Sequence, residues 1–479
     1  MNYRMIFYMT GRLLQLEAAV LLLPIAVAVA YGDGGLLGLA VALAVAAVAG
    51  TAMTLLRHPK NQTIYAKEGF VIVALSWILL SAVGAIPFVL SGGMSFVDAF
   101  FEMVSGFTTT GASVLDLSVA NLGHGLMFWR SFTHWIGGMG VLVLMMALVP
   151  TGSGRTIHVM RAEVPGPIVG KLVPRLKDTA KILYLIYLGM TVVEMICLLC
   201  AGMDWFDSAL LSFGTAGTGG FGLVPASCGE YSAAVQWIIT AFMLLFGVNF
   251  NLYYLLLIRS FRPVAGNREL WLYLGIFAVA TGLITVNILP LYDFGDAVRH
   301  AAFTVSSVVT TSGYATTDFN LWPGLSRGII FLLLFVGGCA GSTAGGLKIS
   351  RVMLLGKTVV RELKRLIHPR SVSVVSLEGK RVEETTVQST TAYFVLYMAL
   401  IAMVFFVLSF ENFSLETNLT AAITCLNNVG PGLGEVGPAG GFAGYSDLSK
   451  IVLSFAMLLG RLEIYPLVLA LLPGTWTKR

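Results

Sequence analysis

The sequence predicts an all-α integral membrane protein. Four tandem helix–pore loop–helix repeats stand in a pseudo-fourfold arrangement around one pore, behind two extra N-terminal transmembrane helices. Three observations predict this. Of 479 residues, 57% are hydrophobic and 11% charged, against about 25% charged in soluble domains. Ten apolar segments are long enough to cross a bilayer, which takes roughly 20 residues. Four shorter apolar segments, each followed by a glycine-centred loop, recur about every 100 residues.

The ten spans begin near Leu13, Gly35, Gly69, Gly125, Ala180, Ala233, Glu269, Gly328, Thr391 and Lys450. The first follows Arg4 and Arg12 and runs to Ala28, Val29 and Ala30, a pattern like a signal-peptide cleavage site. Its length, Glu17 and Pro24 point instead to an uncleaved span. Basic residues cluster in alternate connections: Arg57, Lys60 and Lys67; Arg155, Arg161, Lys171, Arg175, Lys177 and Lys181; Arg259, Arg262 and Arg268; Lys357, Arg361, Lys364, Arg365, Arg370, Lys380 and Arg381; then Lys478 and Arg479. The opposite loops carry Asp33, Asp116, Asp204, Glu230, Asp318, Glu435 and Asp447. The positive-inside rule puts both termini and the basic loops in the cytoplasm. Basic residues flank apolar spans and form no aromatic-interleaved patch, so no nucleic acid is expected as a partner; the lipid bilayer is. Cys197 and Cys200 form a CxxC, but inside an apolar span with no second pair, so they, like Cys228, Cys339 and Cys425, are expected to pack as small apolar residues rather than do metal or redox work, and no disulfide framework is implied.

The expected units are 1–66, a two-helix extension; 67–155, repeat 1; 156–265, repeat 2; 266–385, repeat 3, with a second helix broken at 337–348; and 386–479, repeat 4. Each outward loop holds an apolar segment too short to span: VDAFFEMVSGF from Val97, FDSALLSFGTA from Phe206, DAVRHAAFTVSSVV from Asp296 and LETNLTAAITCL from Leu415. Asp98, Asp207, Asp296 and Glu416 stand at their starts, where a helix N-terminus favours negative charge. Each reads as a re-entrant half-helix, which membrane depth tolerates only inside protein or beside a wet cavity.

Behind each half-helix comes one loop glycine: Gly111 in TTTGAS, Gly219 in AGTGGFG, Gly313 in TTSGYA and Gly430 in NNVGPG. Half-helix C-termini converging at mid-membrane aim carbonyls and negative dipole at one point. Loop carbonyls there can replace an ion's water shell, and glycine permits the positive φ this requires. Thr108, Thr109, Thr110, Thr218, Thr310, Thr311 and Ser312 can add hydroxyl oxygens; repeat 4 offers Asn427, Asn428 and Val429. Neutral oxygens favour a weakly hydrated monovalent cation over a divalent one. Taken singly, such loops also serve close helix packing.

Two more features sit at membrane depth. GGCAGSTAGGLK comprises Gly337, Gly338, Cys339, Ala340, Gly341, Ser342, Thr343, Ala344, Gly345, Gly346, Leu347 and Lys348. It is too glycine-rich to stay helical, and is either a flexible obstruction below the loops or a simple kink. Arg461, in GRLEIYP, is a charge at mid-span. It can hydrogen-bond free carbonyls, repel cations or pair with a carboxylate such as Glu194. Arg130 and His134 in FWRSFTHWIGGMG are expected to pack around the first loop, with contact to an ion pathway as the alternative.

Over nearly its whole length the chain resembles the Trk/Ktr/HKT superfamily of K+ transporters, and within it the bacterial TrkH-type subunit. The matching elements are the four loops, FWRSFTHWIGGMG, GGCAGSTAGGLK and GRLEIYP. The resemblance implies uptake of K+, with no other cofactor, through a channel-like pore in the bacterial inner membrane. It implies a homodimer and a cytoplasmic TrkA-type regulatory subunit that binds NAD(H) or ATP/ADP. It implies a filter of Thr109, Thr110 and Gly111, Thr218 and Gly219, Thr311, Ser312 and Gly313, and Asn428, Val429 and Gly430. It implies a gating loop over Gly337–Gly346 with Lys348, contacted by Arg461. The basic segment KTVVRELKRLIHPR from Lys357 is the expected docking surface for the regulator.

Three other classes fit parts of the pattern, of which a purely structural membrane scaffold fits least, because polar, glycine-rich interruptions cost stability without a pore to serve. Broken helices also mark alternating-access carriers or symporters with inverted repeats, but these four repeats all enter from the same side. A haem or other membrane enzyme would use His124, His134, His300 or His368, and only His134 falls at mid-membrane.

Overall fold

A computed structural model describes residues 1–56, 65–116, 122–140, 176–370 and 373–476. The basic positions Arg57, Lys60, Arg155, Arg161, Lys171, Arg175, Lys478 and Arg479 lie outside the described residues.

Helices α1 (Tyr3–Tyr31) and α2 (Leu36–Leu56) precede the repeats and pack on each other. Small residues set their approach: a Cβ at Gly50 would stand 2.8 Å from the Gly11 carbonyl oxygen. α1 buries Leu13, Leu21 and Ala28 and packs on α3 (Ala66–Leu90) and α5 (His124–Gly138), so the first span is part of the fold.

Repeat 1 is α3, α4 (Phe96–Phe107) and α5. Repeat 2 is α6 (Leu176–Cys200), α7 (Trp205–Gly217), α8 (Ala233–Phe246) and α9 (Phe250–Leu257), followed by the short α10 (Phe261–Ala265). Repeat 3 is α11 (Arg268–Ile288), α12 (Phe294–Val309), α13 (Gly324–Leu333) and α14 (Ile349–Ile367). Repeat 4 is α15 (Glu384–Leu408), α16 (Leu415–Asn427), α17 (Asp447–Arg461) and α18 (Tyr465–Leu471), ending with α19 (Pro473–Trp476). A small hairpin, β1 (Ser376–Leu377) with β2 (Lys380–Arg381), links α14 to α15 and is the one addition to an otherwise helical fold among the described residues.

The half-helices α4, α7, α12 and α16 start as their sequences dictate. Ser95, Asp204 and Ser414 accept N–H bonds from Asp98, Phe206 and Thr417, while Asp98, Asp207, Asp296 and Glu416 occupy first turns. Their C-terminal halves are buried, with only Phe213 of α7 half-buried; α4 is buried without interruption from Phe101 to Phe107. That burial lets a short helix end at membrane depth. Each repeat then leans on the next. α5 packs on α7, α8 on α12 and α17 on α4, while an Arg327–Glu416 ion pair joins α13 to α16. Lys450 closes the circle, its ammonium 2.6 Å from Asp98.

The second helices correct the expectation of ten full spans. Six described helices are long and apolar enough to cross a membrane, and α8 with α9 makes a seventh only if a 91° bend is counted as one span. The spans expected from Gly125, Gly328 and Lys450 correspond to α5, α13 and α17, of 15, 10 and 15 residues. Only the break in repeat 3 was expected. In repeat 4 the backbone turns at Glu463 and Ile464, both at positive φ. In repeat 2 the break is held by foreign partners: Cys339 donates its N–H to Gly247 O and Phe250 donates to Gly341 O. Apolar composition cannot foretell such a break, because the tertiary partner supplies the bonds the helix gives up.

Candidate functional site

The four half-helices end in one repeated motif. Thr109, Thr218, Thr311 and Asn428 take φ of 55°, 56°, 56° and 55°. Each donates its N–H three residues back, to Gly106, Thr215, Val308 and Cys425. The next residues, Thr110, Gly219, Ser312 and Val429, donate five residues back, to Ser105, Gly214, Ser307 and Thr424 at 2.8–3.0 Å. This pair of bonds is the Schellman helix stop, which usually places glycine at the left-handed position. Three β-branched threonines there are backbone outliers. Such strain costs about 1–3 kcal/mol per residue and collects at functional sites.

A glycine at positive φ follows two residues later in each repeat: Gly111, Gly220, Gly313 and Gly430. This corrects the register of repeat 2, where Gly219 was expected. Two adjacent glycines left the sequence undecided, and tertiary contacts choose Gly220. A Cβ on Gly111 would strike Gly219 O; on Gly220, Ser312 O; on Gly313, Val429 O. On Gly430 it would come within 2.7 Å of Thr110 O. The contacts run from repeat 1 to 2, 2 to 3, 3 to 4 and back to 1. Four backbone carbonyls and four glycines therefore alternate in a closed ring. Above it lies a cavity of about 370 Å3, lined by all four ring glycines together with Ser113 and Arg130.

Side chains distinguish the repeats. Thr110 and Ser312 hydroxyls lie 2.8 Å from those of Thr108 and Thr310, which themselves donate to Val104 O and Ser306 O. Repeat 2 has no such pair, only Gly217 and Gly219, and the His134 ring fills the space a Cβ on Gly219 would need. In repeat 4, Asn427 turns away to the Tyr397 hydroxyl, while Asn428 donates to Thr110 Oγ1 and Met457 O, both at 2.9 Å.

A second tier lies directly beneath. Gly345 donates its N–H to Thr311 Oγ1 at 2.6 Å, and a Cβ there would collide with Asn427 O. The segment Gly337–Lys348 is an irregular loop pressed under the ring. Glu269 holds both its flanks, accepting from Ala340 N at 2.8 Å and Ser350 N at 3.0 Å. Lys348, at φ 69°, folds its ammonium back onto Ala344 O. Arg461 donates to Thr343 O at 2.8 Å and to Gly137 O and Gly138 O at 2.6 Å. Of the roles open to Arg461, carbonyl bonding is observed. Glu463 pairs instead with Arg351. The end of α5 and the breaks of the other three second helices meet at this level.

Sequence reasoning gave Arg130 and His134 a packing role and missed their partners. Arg130 bonds Glu102 at 2.7 Å, Gly222 O at 2.9 Å and Ser113 Oγ at 3.1 Å, and stacks 3.6 Å over Phe221. Both members of the Arg130–Glu102 pair are buried, and removing one partner from such a pair costs about 3–5 kcal/mol. The cue was available: two opposite charges in apolar segments of one repeat. The five cysteines are free, three of them buried, and the described residues hold no cluster of metal-ligating side chains.

Re-entrant half-helices in a ring, inside a bundle of transmembrane helices, define a multi-pass membrane transport protein rather than an enzyme. The TrkH family model, described as a cation transport protein, matches residues 39–266 and 274–474. The chain belongs to that family. It is 35% identical to the Trk system potassium uptake protein TrkH of Halomonas elongata over 490 residues, covering all of both chains. It is equally 35% identical to the protein of the same name from Escherichia coli over 493 residues, again across the full length of both. The crystal structure of the potassium transporter TrkH from Vibrio parahaemolyticus superposes with a TM-score of 0.90 at 32% identity, over all of both chains.

Proposed function

We propose that this chain is the pore subunit of a potassium uptake system, with the four-carbonyl ring as its selectivity filter. The observation that carries this is the cyclic closure itself. Thr110, Gly219, Ser312 and Val429 supply four neutral carbonyls at the C-terminal ends of four half-helices. Neutral oxygens at negative dipole ends suit a weakly hydrated monovalent cation. Relatives named for potassium uptake, matched over the full chain, support K+ as that ion. The filter comprises Thr109, Thr110 and Gly111; Thr218 and Gly219, extended to Gly220; Thr311, Ser312 and Gly313; and Asn428, Val429 and Gly430.

In the same proposal, Gly337–Gly346 with Lys348 is the gate, and Arg461 is the latch that ties it to repeats 1 and 4. Movement down the membrane potential, worth about 2.3 kcal/mol per charge for 100 mV, suffices for accumulation. The exposed end of α14, with Lys364 and Arg365, is the docking surface for a TrkA-type nucleotide-binding regulator, and the chain acts as a homodimer. Both termini are cytoplasmic in the bacterial inner membrane. Stacking of Tyr3 on Trp476, with centroids 6.3 Å apart, supports one side for both.

The test is ion flux in proteoliposomes under K+, Rb+ and Na+ gradients, for wild type and Gly313→Ser, with and without regulator and nucleotide. K+ and Rb+ uptake that loses its preference over Na+ in the variant is expected. Equal K+ and Na+ flux in the wild type would sink the filter assignment. Nucleotide control that survives charge reversal at Lys364 and Arg365 would remove the docking surface.

A further inference from the structure

The four junctions of the ring are braced differently. Between repeats 2 and 3 the Tyr314 hydroxyl reaches Leu211 O at 3.3 Å. Between 3 and 4, Asn320 exchanges bonds with the Gly434 backbone at 3.0 and 2.9 Å. Between 4 and 1, Asn428 reaches Thr110 and the Phe442 N–H donates to Ser113 O at 2.9 Å. At the loops these braces are neutral; the ion pairs of the last two junctions, Arg327–Glu416 and Lys450–Asp98, lie at the starts of the half-helices. The junction of repeats 1 and 2 is braced by charge and by an aromatic wedge, both from one helix, α5.

Arg130 and His134 stand one turn apart on α5, so they face the same way. Arg130 grips loop 1 through Glu102 and Ser113 and loop 2 through Gly222 O and the Phe221 ring. Only a planar guanidinium can hold these partners at once; an ammonium is a point charge on a flexible stem. One turn deeper, His134 Nδ1 lies 2.8 Å from Gly106 O of α4, and its ring centroid is 4.1 Å from that of Phe221, tilted by 33°. The same ring lies against Gly219, whose carbonyl belongs to the ring of four. This accounts for the missing side chain in repeat 2: the imidazole occupies the volume that Thr110 and Ser312 fill in repeats 1 and 3.

We infer that Arg130 and His134 are specificity-determining positioning residues: together they fix the spacing of the Thr110 and Gly219 carbonyls and so the discrimination of K+ from Na+. The inference rests on the proposed filter. Selectivity in a neutral-oxygen ring depends on the number and placement of its carbonyls, and placement at this junction depends on α5. Neither residue need touch the ion. Groups that orient ion ligands from behind change affinity or activity by roughly 10–100-fold when altered.

The test measures the K+/Na+ flux ratio in proteoliposomes of the full chain, with reconstituted protein quantified for each variant. Arg130→Lys keeps the charge and loses the fork; the ratio is expected to fall about tenfold. Gly219 is not at positive φ, so Gly219→Ala adds only a methyl group facing the imidazole. It is expected to lose selective flux, and the double variant Gly219→Ala with His134→Ala to regain it. A merely structural role would lower the amount of reconstituted protein and leave the ratio unmoved. Should Arg130→Lys fail to reconstitute, Phe221→Leu weakens the same grip and is expected to lower the ratio in the same direction. A wild-type ratio retained by Arg130→Lys or Phe221→Leu, or a double variant no better than Gly219→Ala alone, overturns the inference. A wild type without K+ preference overturns the filter itself, a distinct result.

Discussion

Repeats 1 and 3 differ from repeats 2 and 4 in their side chains while sharing one backbone. In repeats 1 and 3 the ring residue is Thr110 or Ser312, its hydroxyl tied to Thr108 or Thr310 at 2.8 Å. In repeats 2 and 4 it is Gly219 or Val429, and neighbours do the bracing: His134 behind Gly219, Asn428 beside Val429. Yet all four share the left-handed residue, the N–H bonds three and five residues back, and the glycine two positions on. The fourfold pattern is thus a property of the main chain, and the side chains keep only twofold likeness. If backbone carbonyls meet the ion, only the shared part need be strict.

That contrast can be broken in three graded ways. The largest effect is expected from Gly220→Ala, which meets both a positive φ of 70° and the Ser312 carbonyl. Backbone strain of about 1–3 kcal/mol adds to the collision, and selective Rb+ flux should fall by about 100-fold. Unlike Gly219→Ala, this loss should not be rescued by His134→Ala; rescue would return the ring position to Gly219. Asn428→Ala comes next. It removes two buried hydrogen bonds and leaves Thr110 with one fewer partner, a change worth about 1–3 kcal/mol. The K+/Na+ flux ratio should drop about tenfold, and an unchanged ratio would show that repeat 4 needs no brace. The smallest effect belongs to Ser312→Ala. Its hydroxyl bonds Thr310, so the ratio should move by no more than about fivefold, the equivalent of about 1 kcal/mol for one ordinary hydrogen bond. A loss as large as that of Asn428→Ala would mean that hydroxyls coordinate the ion directly, and the backbone account would fail.

The half-helices were legible because composition writes them plainly: a capping residue, an acid in the first turn and an apolar run too short to span. The loop from Gly337 to Lys348 was legible because glycine density defeats a helix. The left-handed threonines were not, since local preference argues against Thr109, Thr218 and Thr311 in that conformation and only the assembled ring holds them there. The choice of Gly220 over Gly219 was hidden for a related reason. It is made by the Ser312 carbonyl and the His134 ring, residues some ninety positions away in either direction. The break after α8 was hidden because apolar sequence continues through it while backbone bonds go to repeat 3; the break after α17 was hidden because no glycine or proline stands at Glu463 or Ile464, whose positive φ the packed structure holds. Arg461 could be assigned a depth from sequence, but its carbonyl partners belong to repeats 1 and 3.

The bonds that close the circle all join the last repeat to the first. Asn428 meets Thr110 across 318 positions of chain, Lys450 meets Asp98 across 352, and Arg461 meets Gly137 across 324. During synthesis at the membrane, three repeats are therefore inserted before the fourth can seal them. A chain without its fourth repeat lacks all three bonds, so its ring stays open between repeats 3 and 1.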